Sequence, residues 1–261
     1  MNIYSILSQF QLMRVGDGET YSLVENNREN RSRSKRRLIL VWPQLGDFDT
    51  MEYAWWVMRD RKKLNNLGID VRAVAIGNID AGKRFCEYTR FPADSLFIDP
   101  TAKLHQALGL YQGLSLSIPG LTPQQGGYLN LLLMCAGMGS PGTLREVFRG
   151  YVGDRTAPQL IADDEVVKAA PLPALKGEVF KAAGGKGFQR PFELATLRLR
   201  NMAEVLSHWK TYVPNAAYLA QRGATFLLDA EGEVLYEWRD RNLLGFAENM
   251  SNPLSFLERV I

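Results

Sequence analysis

The side chains best suited to chemistry in this chain are few: two cysteines, Cys86 and Cys135, and two histidines, His105 and His208, among 261 residues. A thiol acts as nucleophile or redox group when its setting favours the thiolate, as a helix N-terminus or a nearby cation does. Cys86 lies in Arg84-Phe-Cys-Glu-Tyr-Thr-Arg90, mid-helix by pattern, where a small buried apolar cysteine is the ordinary outcome. Any thiol chemistry in this chain would have to work through Cys86, because Cys135 follows Leu-Leu-Leu-Met in an apolar helix and reads as packing. Nothing in their spacing makes the two a redox pair. Cysteines and histidines this scattered do not make a zinc site, and neither histidine has a Ser or Cys nucleophile in a recognisable local motif.

Charge offers two further candidates. Gly184-Gly-Lys-Gly-Phe-Gln-Arg-Pro191 precedes a helix, and glycines that let the backbone curl towards unpaired helix amides suit an anion. Gly185, Lys186, Gly187 and Arg190 are the residues that would hold it, the plain alternative being a surface loop. It is not a phosphate-binding P-loop, since Lys186 is not followed by Ser or Thr. Neither a metal nor a cofactor is expected. Residues 28–37 carry six cations and one acid, so Arg31, Arg33, Lys35 and Arg36 could dock on a protein partner or an anionic lipid surface. A solvated linker is the plain alternative. The net charge of +3 is too small to suggest nucleic acid as a partner.

The elements that must position these residues follow from apolar patterning. Residues 38–42 form a continuous apolar run, as in a strand buried on both faces, and Pro43 is expected to end it. Asp49 with Glu52 three residues on makes a capping box, so a helix should start near Thr50. That helix carries Tyr53, Trp55 and Trp56 around its first turns. Aromatics so spread cannot all face one sheet, which makes Trp55 and Trp56 candidates for a partner contact. Strands at 71–76 and 96–98 alternate with helices at 80–90 and 101–108, an order that argues for parallel pairing. After a Gly, Pro, Ser and Gln-rich connection come helices at 128–136, 141–151 and 191–209. Two apolar strands around Asp229-Ala-Glu-Gly232 read as a β-hairpin, and a closing helix is expected at 253–260. No apolar run is long enough to span a bilayer, and the first residues lack the pattern of a signal peptide, so a soluble cytoplasmic protein with free thiols is expected.

Several of these pieces together carry a likeness: the strand at 38–42 leading into Gly46, the strand at 71–77, Phe97-Ile-Asp-Pro100 before a helix, Leu108-Gly-Leu110, and Thr225-Phe-Leu-Leu-Asp-Ala-Glu-Gly232. Residues 37–111 with 222–257 resemble the peroxiredoxin-like branch of the alkyl hydroperoxide reductase and thiol-specific antioxidant (AhpC/TSA) family. The whole chain, with 132–142 and 184–193, looks most like members from oxygenic phototrophs. The resemblance implies a thioredoxin-like mixed β-sheet flanked by helices: a flexible, partly basic arm at 1–37, then one domain at 38–261. That domain is built from 38–111 and 222–261, with a largely helical insertion at 112–221. Competent relatives carry cysteine, often Cys-x-x-Cys, where the first strand turns into the helix; laid on that pattern, Asp47 and Thr50 take those two positions. A Thr hydroxyl is too weakly acidic to attack peroxide, and an ionised Asp can only cap the helix. Two functions stay open. One is a non-catalytic scaffold with a protein partner or a second copy, peripheral at a photosynthetic membrane through the basic arm. The other is a thiol-dependent antioxidant working through Cys86.

Overall fold

The structure is a computed structural model that describes residues 2–24 and 36–260. Among the described residues nine strands occur in chain order: β1 (Gln11–Arg14), β2 (Thr20–Ser22), β3 (Arg37–Gln44), β4 (Asp70–Ile76), β5 (Leu96–Ile98), β6 (Val166–Val167), β7 (Leu175–Lys176), β8 (Ala224–Leu228) and β9 (Val234–Arg239). Seven of them form one sheet in the order β2-β1-β5-β4-β3-β8-β9, and β6 pairs only with β7. Strands β3, β4 and β5 are parallel, while β8 runs antiparallel to β3 and β9 antiparallel to β8. This is a thioredoxin-like mixed sheet. The continuous apolar run in β3 follows from burial on both sides, with Leu38, Leu40 and Trp42 in one cluster and Ile39 and Val41 in the other.

Among the described residues there are ten α-helices: α1 (Ile3–Gln9), α2 (Phe48–Arg59), α3 (Arg61–Asn66), α4 (Ile79–Thr89), α5 (Lys103–Ala107), α6 (Pro123–Cys135), α7 (Thr143–Val152), α8 (Glu193–Ser207), α9 (Trp209–Tyr212) and α10 (Leu257–Val260). One face of β3 packs on Met51, Tyr53 and Trp56 of α2, Phe85 of α4, and Leu194 and Val205 of α8. The other face packs on Ile6 and Leu7 of α1 and Leu104 of α5. Among the described residues no helix is long and apolar enough to cross a membrane.

Four sequence expectations change. Pro43 does not end β3, because pairing with β8 stops at Val41 and pairing with β4 resumes at Gln44 through a bulge, so the missing N–H breaks no ladder bond. The cap of α2 is Asp47, whose side chain accepts the Asp49 N–H, and not Asp49. Residues 3–22, expected within a flexible arm, instead form α1, β1 and β2, and Met13 pairs with Ile98 to extend the sheet. The remainder of that arm, 25–35, lies outside the described residues. Finally, α8 starts at Glu193, after Pro191, and α6 starts at Pro123 under a capping box of Thr122 and Gln125.

The insertion joins the sheet through close contacts. Gly127 of α6 lies where a Cβ would stand 2.0 Å from the Ala216 carbonyl oxygen, so only glycine lets the helix cross residues 216–218 at that distance. Met134, near the end of α6, is buried with Ala220 and Leu243, which brings the end of α6 beside the segments flanking β8 and β9.

Candidate functional site at the β3–α2 turn

The turn from β3 into α2 gathers charged residues from three distant parts of the chain. Asp47 caps α2 by accepting the Asp49 N–H at 2.9 Å, and Thr50 donates its hydroxyl to the Gln44 carbonyl at 3.1 Å. The Gln44 side-chain amide in turn donates to the Asn215 carbonyl. Arg222, the residue before Gly223 and β8, is wholly buried against this turn. Its guanidinium donates to Asp47 at 2.5 Å, to Asp49 at 3.3 Å, and to the carbonyls of Leu219 and Ala220 at 3.2 and 3.1 Å. Asp49 accepts the Leu244 N–H on both oxygens at 2.8 and 2.9 Å, and Asp240 accepts the Gly223 N–H at 3.2 Å.

Three carboxylates therefore surround one buried guanidinium. Burial, then the neighbouring Asp47, pushes Asp49 well above the ordinary carboxylate range, with Arg222 acting against the rise. Burial pushes Asp240 up to about 8, again with Arg222 opposing. Burial works against the charge on Arg222 itself, and Asp47 and Asp49 more than offset it. Chemically the turn has a fixed cation held by internal acceptors and a Thr50 hydroxyl that donates to the backbone of the turn. Four of the five guanidinium N–H groups of Arg222 thus point to acceptors of the same chain.

Of the two thiols, Cys86 lies in a helix against the core as its pattern suggests, while Cys135 does not pack as expected. Cys86 is partly buried on the inner side of α4 against the main core, and burial pushes its thiol up to about 12. Cys135 is exposed at the end of α6, not packed. Its thiol is raised by partial desolvation and then by Asp47, with Arg222 acting in the opposite direction, so it is Cys135 that shares the electrostatic surroundings of the turn. His105 is fully buried, its Nε2 2.8 Å from the Trp42 carbonyl, which can only accept; burial lowers its pKa to about 4 and keeps it neutral.

The glycine-rich loop brings its cations to acids of the same chain. Arg190 is wholly buried, bonded to Glu193 at 2.8 Å, to Asp163 at 2.9 Å and to the Ile161 carbonyl at 2.9 Å. Lys186 reaches Asp163 at 3.2 Å, and Glu193 accepts the Arg190 backbone N–H at the head of α8. The expected anion site at Gly185, Lys186, Gly187 and Arg190 is thus filled by internal carboxylates. Trp56 is buried; Trp55 is partly exposed and meets it edge-on at 5.1 Å, with Arg59 5.3 Å above both rings. Trp55 lines a cleft of about 450 Å³ with Met58, Arg59 and Leu160, so of the two tryptophans it is the one at the surface. Arg36 is partly buried at the entry to β3, and Arg31, Arg33 and Lys35 lie outside the described residues. Among the described residues no group of three or more His, Cys, Asp or Glu is placed to hold a metal ion.

Sequence reading missed Arg222 and Asp240. The signal available was a lone arginine in Ala220-Gln-Arg-Gly-Ala-Thr-Phe226, where an apolar strand begins and a charge needs a partner.

The AhpC/TSA antioxidant enzyme family model matches residues 56–242, starting past Asp47 and Thr50. No curated protein matches the chain. Among solved structures, a variant of peroxiredoxin Q from Xanthomonas campestris is 11% identical, covering 98% of this chain and 93% of that one with a TM-score of 0.44. The bacterioferritin comigratory protein of the same organism is also 11% identical, covering 90% and 83% with a TM-score of 0.40. Likenesses this distant say nothing of activity.

Proposed function

The chain belongs to the AhpC/TSA antioxidant enzyme family, and we propose that within it this protein is a non-catalytic binding or assembly scaffold. The observation that carries this reading is the pairing of buried Arg222 with Asp47 and Asp49 at the head of α2. The resemblance places the family's cysteines at Asp47 and Thr50, where a helix N-terminus would favour a thiolate. In this chain the same field holds the Asp47 carboxylate, and α2 is fixed to β8 by a buried ion pair. The turn then works as a structural joint between sheet and insertion.

The test is peroxide consumption with dithiothreitol as reductant, for the wild-type chain, Cys86→Ser and Cys135→Ser. Absence of turnover in all three is the expected result. Turnover that depends on either cysteine would overturn the scaffold reading and favour a thiol antioxidant.

A peripheral position at a photosynthetic membrane, through the basic stretch 28–37, belongs to the same proposal. Removing residues 1–37 would also remove β1 and β2 from the sheet, so charge substitution is the cleaner test. Replacing Arg31, Arg33 and Lys35 with Glu should lower recovery on vesicles of phosphatidylcholine and phosphatidylglycerol. Equal recovery counts against the membrane contact.

A further inference from the structure

Helix α7 turns Thr143, Glu146, Arg149 and Gly150 inward and most of its apolar residues outward. Thr143 and Gly150 are buried, and Gly150 lies where a Cβ would come within 3.3 Å of the Ala195 backbone nitrogen on α8. Glu146 and Arg149 bond to each other at 2.7 Å, and Glu146 also accepts from Arg198 of α8 at 2.7 Å. On the outer side Leu144, Phe148, Tyr151 and Val152 recur at the spacing of one helix stripe, the pattern that ordinarily faces a core. Phe148 is 62% and Val152 70% exposed. Phe192, before α8, continues the stripe, with its ring edge-on to Tyr151 at 6.2 Å.

An aromatic side chain buries roughly 150–250 Å², so the exposed portions of this stripe amount to several hundred Å² of apolar surface. Monomeric proteins rarely leave that much contiguous apolar area without a use. With a polar rim it approaches the about 800 Å² per partner of a standard protein interface. Beside Phe148 and Val152 runs a groove of about 470 Å³, with α7 as one wall and residues 248–251, including Met250, as the other. The exposed cation Arg145 stands on the α7 wall, and the exposed acid Glu248, which also meets its own Arg259, on the opposite wall. A surface with one cation and one acid on facing walls complements itself after a two-fold rotation.

We propose that the outer face of α7 with Phe192 is a two-fold interface with a second copy of this chain. The two α7 helices run antiparallel, Phe148 of each copy enters the groove beside Met250 of the other, and Arg145 meets Glu248 across the axis. The inference concerns this surface alone and does not depend on whether a thiol turns over.

Sedimentation velocity and light scattering of the full chain over a concentration series test it. The wild type should give twice the 29.4 kDa chain mass, and Phe148→Glu should raise the dissociation constant at least about tenfold. Arg145→Glu should weaken the dimer, and Arg145→Glu combined with Glu248→Arg should restore it. Circular dichroism of Phe148→Glu should match the wild type; if that variant misfolds, Val152→Lys takes its place. A wild type that is monomeric throughout overturns the proposal. So does a dimer indifferent to Phe148→Glu and Val152→Lys, and so does a monomer that binds phosphatidylcholine and phosphatidylglycerol vesicles through Phe148.

Discussion

Arg222 and Asp47 stand 175 positions apart in the chain, yet the guanidinium of one lies 2.5 Å from the carboxylate of the other. Arg222 has no exposed surface and Asp49, its second acidic partner, almost none. Removing the guanidinium leaves Asp47 without its ion-pair partner and takes from Asp49 the cation that opposes its raised pKa. Arg222→Leu should therefore cost about 3–5 kcal/mol, read from urea unfolding. Adding Asp49→Asn should recover part of the loss, because the two sites share one interaction and are not additive. Losses of the two single variants that simply add in the double variant would mean the pair contributes nothing as a pair.

The Asp240 carboxyl gives this cluster a pH dependence of definite sign. Its pKa in the folded chain is about 8 against an ordinary 3.8, so the folded state holds a proton that the unfolded state releases in between. The contribution is full below pH 4, falls as pH rises, and is lost once pH passes about 8. Arg222, Asp47 and the Gly223 N–H are the groups that face it, and Asp49, also raised, acts in the same direction. Asp240→Asn keeps an oxygen for Gly223 and cannot ionise. It should exceed the wild type in stability at pH 8 by on the order of 2–5 kcal/mol, with the gap closing towards pH 4. A constant gap at all pH values would remove Asp240 as the source.

How much of this was legible in the sequence depended on how local each cause is. The runs at 38–42 and 71–76 give β3 and β4 directly, since a strand buried on both faces needs apolar side chains at every position. The pairing of Met13 with Ile98 has no local mark, because the partner of β1 lies some 85 residues on. Asp47 and Thr50 could be placed by family pattern, whereas Arg222 is defined by partners on other elements. In α7 the period of Leu144, Phe148 and Tyr151 is plain in the sequence. Which side of that helix faces the protein is not, since it depends on Arg198, which α8 offers to Glu146.

The two cysteines should separate cleanly in thiol labelling. Burial holds the Cys86 thiol near 12, whereas Cys135 is exposed at the end of α6. At pH 7.5 maleimide should modify Cys135 first, and only denaturant should expose Cys86 at a comparable rate, as followed by peptide mass spectrometry. Faster labelling of Cys86 in the folded chain would contradict its burial and revive it as a reactive thiol.

Arg198 provides the corresponding test of how the insertion is held. From α8 it donates to Glu52 of α2 at 2.7 and 3.2 Å, to the Glu146 carboxylate of α7 at 2.7 Å, and to the Glu146 carbonyl at 3.0 Å. Burial works against its charge, and the two glutamates more than restore it. One planar guanidinium thus joins three helices, a role that an ammonium cannot fill with the same set of bonds. Arg198→Met should cost about 3–5 kcal/mol by stranding Glu52 and Glu146, and Arg198→Lys should fall between it and the wild type. Because α7 and α2 meet through this residue, the loss should appear first as faster trypsin cleavage between residues 137 and 192, with the sheet's far-UV signal retained. Simultaneous loss of both signals would place Arg198 in the global unfolding unit and make the insertion inseparable from the sheet.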